Sequence, residues 1–466
     1  MHPTAIQRRL LLAAALAVAL VLAPASSAAA LTFGLNWDGN NSPRPELLET
    51  VEASGATVYH APLAYNGPGG DWTGNDEVIE EAWERGLTML PTMQMEGRFL
   101  LAGDPEWTAW GAWLREAVER YGVGGTFWKG KVNPTPITAW EVWNEPNIDG
   151  PVPRPEEAQS YGAFLDYSAE QIQAGALARS GVPTNVLFGA LNTEVGESFG
   201  PFLAGAAETG GLSPDVTGVA LHPYSFAGGV PGMVADVTTV RADLDALPEG
   251  SAKSLWITEM GWPTQGEVPY GAPVAPEEAA TMLTTSFEWI KANAAAMNIQ
   301  LATWFNVRDF GGSTWDGHSG LQAEDGSYKP AWYAFQRQTG VEVSGELWAA
   351  FQADSGTLWT WSTAAGYRDT GVPMLPGSSP TVEARPGGGA LVSFQAPGGA
   401  PATYSTASGS VVTGLAAAAE VPHENFLSAA FKAYLGAVWP TSERDGAFGT
   451  SAHLAPGTVP SVDAVP

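Results

Sequence analysis

Cysteine is absent from the 466 residues, which excludes disulfides, thiolate nucleophiles and Cys-ligated metals together. Charge is sparse as well. Asp, Glu, Lys and Arg make up 15% of the chain, and 49 acidic side chains stand against 21 basic ones. No run of Lys and Arg occurs, and a net charge of −28 repels phosphates and anionic headgroups, so neither nucleic acid nor a lipid surface is an expected partner. Beyond the N-terminal segment no apolar stretch reaches the roughly 18 residues of a spanning helix. Hydrophobic residues, at 45%, and 19 Trp are what the chain has in quantity. That composition can bury a large core, and the length favours two or three domains.

The N-terminal segment reads as a targeting signal. Arg8 and Arg9 precede the apolar stretch Leu10 to Ala23, and the small residues Ser26-Ser27-Ala28-Ala29-Ala30 suit a signal peptidase. Residues 1–30 are therefore expected to be a signal peptide cleaved near Ala30, leaving a secreted protein with no membrane segment. Without disulfides, packing alone must hold its fold.

From Leu31 onward β-rich runs alternate with amphipathic helical stretches, the pattern of a parallel sheet with crossover helices. Eight candidate strands are Thr32 to Trp37, Ala56 to His60, Thr88 to Met93, Thr138 to Asn144, Val186 to Leu191, Thr217 to His222, Leu255 to Glu259 and Leu301 to Asn306. Helical patterns lie between them at Pro45 to Ala53, Pro105 to Tyr121, Glu156 to Ala174 and Pro276 to Ala292, and a last helix at Pro330 to Gln338. Eight such units over 31–340 predict an α/β fold, a (β/α)8 TIM barrel. The competing doubly wound sheet announces itself by a Gly-rich phosphate turn after its first strand, and Gly34-Leu35-Asn36-Trp37 is nothing of that kind.

In such a barrel the chemistry sits where strands end. The fourth unit reads Trp140-Glu141-Val142-Trp143-Asn144-Glu145-Pro146-Asn147 and puts Glu145 at the lip; the seventh reads Trp256-Ile257-Thr258-Glu259-Met260-Gly261-Trp262-Pro263 and puts Glu259 at the same height. Strands four and seven lie nearly opposite each other, so both carboxylates can face one cleft. Paired carboxylates are what glycosidic bond cleavage needs, one protonating the leaving oxygen and the other attacking or stabilising the oxocarbenium-like carbon. Close together they do not both ionise easily, and the raised pKa is assigned to Glu145.

Three segments carry a family likeness. Trp143-Asn144-Glu145-Pro146, His222-Pro223-Tyr224 and Thr258-Glu259-Met260-Gly261-Trp262, in this order and with Trp304 near the end of the eighth strand, resemble the signatures of clan A retaining glycoside hydrolases, families 39 and 5 above all. The resemblance covers Leu31 to about Gly340. It implies Glu145 as acid/base, Glu259 as nucleophile, Asn144 as partner of the sugar 2-hydroxyl, Tyr224 as orienter of the nucleophile and Trp304 as platform under the sugar. Such enzymes often carry an Arg at the end of strand two, where this chain has His60.

Other residues have blander readings beside the functional one. Glu141 shares strand parity with Glu145 and is expected to be a buried, hydrogen-bonded carboxylate. His222 and His60 divide between substrate contact and support of neighbours; no third ligand at useful spacing makes them a metal site. Trp107, Trp110 and Trp113 at helical spacing read as a packed face. Trp37 and Trp262, like Trp304, lie where an aromatic face can meet a sugar, and Trp315 is a weaker candidate of the same kind.

After residue 340 the composition turns to Gly, Ala, Ser, Thr and Pro, and an offset of 80 residues emerges. Ala349-Ala350-Phe351 recurs at Ala429-Ala430-Phe431, Gly356 at Gly436, Trp359 at Trp439, Ser362 at Ser442, Thr370 at Thr450, Pro376-Gly377 at Pro456-Gly457, Pro380 at Pro460 and Val382 at Val462. Val392-Ser393-Phe394-Gln395-Ala396 marks a degenerate middle copy, so the unit is about 40 residues. Residues 341–466 are thus expected to be a small all-β repeat domain resembling lectin-like or propeller-type arrays. Three copies fall short of the roughly four to eight blades of a propeller. A truncated array, a β appendage packed on the barrel and an array completed by several chains all remain open, and Trp359, Trp361 and Trp439 either bind glycan or fill the sheets.

These expectations converge on a secreted glycoside hydrolase without cofactor or metal, whose partner is a β-linked oligo- or polysaccharide. Two alternatives share the pocket: a catalytically silent carbohydrate-binding barrel or adhesin, and a transglycosylase that remodels cell-surface glycan.

Overall fold

A computed structural model describes residues 31–37, 47–148, 156–194, 199–341, 347–362, 366–384, 389–406 and 409–413, with the backbone of 447–448, 452–453 and 461–464. The expected signal peptide lies outside these residues, as do Ala429-Ala430-Phe431, Trp439 and most of the third repeat copy. Among the described residues no helix is long and apolar enough to cross a membrane.

Eight parallel strands close on themselves: β1 (Thr32–Asn36), β2 (Val58–Leu63), β3 (Thr88–Met93), β4 (Ala139–Asn144), β5 (Asn185–Asn192), β6 (Gly218–His222), β7 (Ser254–Ile257) and β8 (Ile299–Trp304), with β8 pairing back onto β1. The expected (β/α)8 barrel is therefore what forms. Boundaries differ in detail. β2 begins two residues later than its apolar pattern and runs on through Pro62, while β7 stops at Ile257, so Glu259 stands just beyond its strand.

The crossover helices are α1 (Leu48–Ala53), α2 (Thr73–Glu84), α3 (Trp107–Tyr121), α4 (Glu156–Ser180), α5 (Phe199–Ala207), α6 (Gly229–Ala246), α7 (Pro276–Met297) and α8 (Pro330–Thr339). Pro opens α7 and α8, where its missing N–H costs nothing, and Gly340 ends α8 at φ 82°, a left-handed backbone that suits glycine. The sequence pattern had not singled out α2, α5 and α6; α5 is only nine residues long, and α6 shows little contrast between its faces.

Trp110 and Trp113 are fully buried, as their spacing predicts. Trp110 Nε1 donates to Ser168 Oγ, Trp113 Nε1 to Asn66 Oδ1, and Trp107 stacks on Tyr167 at 4.7 Å. Each large aromatic buried this way contributes about 1.5–3 kcal/mol. In the loops after the last two barrel strands, the Lys329 ammonium is held by both oxygens of buried Asp309, at 2.8 and 2.6 Å, and by Thr264 Oγ1 and the His318 carbonyl. These contacts tie the loop after β8 to the loop after β7, both of which border the site.

The described residues of the C-terminal region form antiparallel sheets. One has the order β11 (Gly366–Pro373), β10 (Thr357–Ser362), β9 (Leu347–Gln352), β18 (Ser461–Ala464); the other runs β12 (Thr381–Ala384), β13 (Ala390–Gln395), β14 (Pro401–Ser405), β15 (Val411–Thr413). A two-stranded ladder joins β16 (Ala447–Phe448) to β17 (Ala452–His453). Trp348, Leu358, Val392, Phe394 and Tyr404 form a core shared by the two larger sheets. Leu358, Thr360 and Ser362 alternate inward along β10, which leaves Trp359 and Trp361 half-buried on the opposite face.

The repeat explains how the sheets correspond. β18 lies 80 residues after β12, strand for strand, and each pairs antiparallel with the strand that begins its meander: Val382 opposite Val392, Val462 opposite Ala349. Residues 461–464 thus supply the leading strand of the first sheet.

Deleting residues 461–466 should strip the β9 edge and lower the melting temperature of the C-terminal sheets, so that calorimetry shows an early transition separate from the barrel. A single transition at the original temperature would contradict this pairing.

Candidate active site

The end of β4 is built to turn a carboxylate inward. Trp143 has φ 78° and Glu145 φ 45°, two non-glycine residues in the left-handed region, and the β4–β5 ladder skips Trp143 between its Val142–Phe188 and Asn144–Ala190 pairs. Gly189 makes room for this kink. A Cβ there would lie 2.4 Å from the Val142 carbonyl oxygen and 2.5 Å from that of Trp143. Tyr161 then locks it, its hydroxyl donating to the Val142 carbonyl at 2.6 Å and accepting from Gly189 N–H at 2.8 Å.

Three side chains meet at the mouth of the barrel. His222 Nδ1, at the end of β6, is 2.8 Å from Glu145 Oε1 and 3.4 Å from Glu259 Oε2. The ring is wholly buried, while each Glu side chain keeps 14% exposure. Asn192 Nδ2 donates to the same Glu145 oxygen at 2.8 Å, and the Tyr224 hydroxyl donates to Glu259 Oε2 at 2.7 Å. One atom of each member, Glu145, His222 and Glu259, falls within 4.8 Å of the other two. His222 Nδ1 sets this spacing, through its hydrogen bond to Glu145 and its 3.4 Å approach to Glu259.

The electrostatics depart from expectation in one respect. Burial acts to raise Glu145, but the hydrogen bond and charge of His222, with the Asn192 amide, outweigh it and hold the carboxyl below its usual range. Glu259 is the raised member, through burial and the nearby charge of Glu145, against the opposing influence of His222, His60 and Tyr224. The donors at Glu145 explain the reversal: two of them converge on one oxygen. Burial would lower His222, yet Glu259 and Glu145 push it up to about 9. Tyr224 is raised well above its ordinary value by burial and by Glu259.

Beneath this cluster His60 Nε2 lies 3.0 Å from Glu141 Oε2 and 3.0 Å from Thr92 Oγ1, and Ala190 N–H donates to Glu141 Oε1. Glu141 is fully buried, as its parity predicts. His60 is 2% exposed and supports the interior of the barrel below the two carboxylates.

The aromatic candidates are placed differently from one another. Trp304 and Trp262 are 1% and 2% exposed, pack on each other at 6.0 Å, and donate their indole N–H groups to the Ser319 and Ser225 carbonyls. They form a packed wall. Trp37 and Asn144 are half-buried at the ends of β1 and β4. Trp315 is half-buried too, its ring 4.8 Å from Tyr224 and 4.9 Å from Phe226.

Asn192 is the site residue that sequence reasoning missed. It stands opposite His222 at the end of β5, and inspecting that strand end as the fourth and seventh were inspected would have found it. Asn147 pins it, donating to the Asn192 carbonyl and accepting from its N–H at 3.0 Å.

No protein-family model and no curated protein matches the chain. Solved structures do. A glucosidase from Croceicoccus marinus aligns over 80% of this chain and 74% of its own at 14% identity, with a TM-score of 0.50. A family 39 glycoside hydrolase from the gut symbiont Bacteroides cellulosilyticus aligns over 79% and 74% at 16% identity, with a TM-score of 0.49. What the glucosidase shares with this chain, at that identity, is the fold.

Gly189→Ala should destabilise the protein by about 1–3 kcal/mol, because backbone on β4 must move to admit the methyl group. Thermal unfolding measures this, and an unchanged melting temperature would mean that the kink tolerates a Cβ.

Proposed function

We propose that the protein is a secreted retaining glycoside hydrolase that cleaves a β-linked glycan or glycoside by double displacement. The observation that carries this reading is the carboxylate pair: oxygens of Glu145 and Glu259 within 4.8 Å, each steered by its own donor at the C-terminal mouth of the barrel. A separation near 5 Å suits attack by one carboxylate on the sugar, whereas inversion needs about 6.5–9.5 Å to admit a water between the groups. The shared fold of the glucosidase and the sequence resemblance to clan A support the same reading.

In the first half-reaction Glu259 attacks the anomeric carbon while Glu145 delivers a proton to the departing glycosidic oxygen. Tyr224 keeps the attacking oxygen of Glu259 in place until the ester forms. In the second, Glu145 takes a proton from water, the water attacks the anomeric carbon, and Glu259 leaves as carboxylate. Asn192 holds Glu145 through one oxygen in both steps, which leaves the other to face the scissile bond. Export rests on residues 1–30, and the acidic balance of the chain favours neutral over anionic glycans.

The test is reducing-sugar release from β-glucans, mannan, xylan, galactan and aryl β-glycosides. Wild type should cleave at least one, and Glu259→Ala should lose several orders of magnitude in kcat. A variant as active as wild type would overturn the site; a folded wild type that cleaves nothing would overturn the activity. Longer oligosaccharide products would instead identify a transglycosylase.

A further inference from the structure

The hydrogen bonds at the mouth of the barrel raise a question that the double displacement leaves open, namely where the proton for the leaving group resides before substrate arrives. We propose that His222 and Glu145 hold that proton in common, with His222 Nδ1 as its resting place and the charge on Glu259 as the switch that moves it. This deepens the glycosidase reading and rests on it.

The geometry is specific. A single ring nitrogen faces both carboxylates, at 2.8 Å from Glu145 and 3.4 Å from Glu259. The other ring nitrogen, Nε2, is buried and has no hydrogen-bonding partner among the described residues, so Nδ1 is the ring's contact with the two carboxylates. Imidazolium with two carboxylates, and neutral imidazole with Glu145 protonated and Glu259 ionised, carry the same total charge. They differ only in the position of one proton.

Attack by Glu259 converts its carboxylate into a neutral ester and removes one of the two carboxylate charges that face Nδ1 and hold the proton on His222. The N–H bond at Nδ1 then breaks, Glu145 carries the proton across, and an O–H bond forms on the departing alcohol; imidazole is left neutral. Hydrolysis runs the balance backwards. Water gives its proton to Glu145, hydroxide adds to the anomeric carbon, Glu259 regains its charge and the proton returns to Nδ1. No additional reactant is required.

The charged and titratable groups around His222 are Glu141 on β4, Glu145 just beyond it and Glu259 beyond β7; Tyr224 follows it, His60 on β2 acts on Glu259, and Asp316 acts on Tyr224. Of these, Glu259 is the one whose charge the reaction abolishes.

Two measurements test the proposal. In 15N-histidine-labelled protein, His222, assigned by the signal missing from His222→Gln, should titrate near pH 9 in wild type and at least one pH unit lower in Glu259→Gln. An unchanged titration in Glu259→Gln overturns the inference even if no substrate is known. With the aryl glycoside that wild type cleaves, the alkaline limb of kcat/KM in His222→Gln should move at least one unit towards acid, since Glu145 then holds the proton alone. An alkaline limb at the wild-type position also overturns it. Absence of any glycoside cleavage strikes the glycosidase reading instead, and the NMR comparison keeps the two failures apart.

Discussion

Closure of the parallel sheet between β8 and β1 is the constraint from which the site follows. Once eight strands close, their ladders have no free edge, every strand points its C-terminal end the same way, and groups far apart in sequence are brought to one rim. Glu145, His222 and Glu259 are separated by 77 residues or fewer in each step along the chain, yet they meet through a single imidazole nitrogen.

The rim is polar at two depths. Above, carboxylates and a histidine share hydrogen bonds at the mouth; below, His60, Thr92 and Glu141 form a buried network inside the barrel. Each layer is high in electrostatic consequence because its groups are largely buried, so a neighbour's charge shifts a pKa more than it would at the surface. The strained turn at Trp143 and Glu145 is held by groups away from the mouth, Tyr161 and Gly189, and this is how a left-handed backbone persists at the site.

Much of the barrel was legible in the order of residues. β3 was located to the residue, and Glu145 and Glu259 were found from the motifs at two strand ends. Helices α2, α5 and α6 escaped, α5 because its nine residues are too few to repeat an apolar period. The repeat was legible too, but the partner of its last described strand was not. An offset of 80 residues says that β18 copies β12; it does not say that β18 crosses to the first sheet and pairs with β9.

Local sequence therefore determined the alternation of strand and helix, the two carboxylates and the repeat, since these depend on side-chain type and spacing alone. Which carboxylate is depressed and which is raised was decided by tertiary structure, through Asn192 and His222 converging on one oxygen of Glu145. The same holds for Trp304 and Trp262, candidates by position, which the fold packs into a wall. Hydrogen-bond partners and burial arise from segments distant in the chain, and no spacing along one strand encodes them.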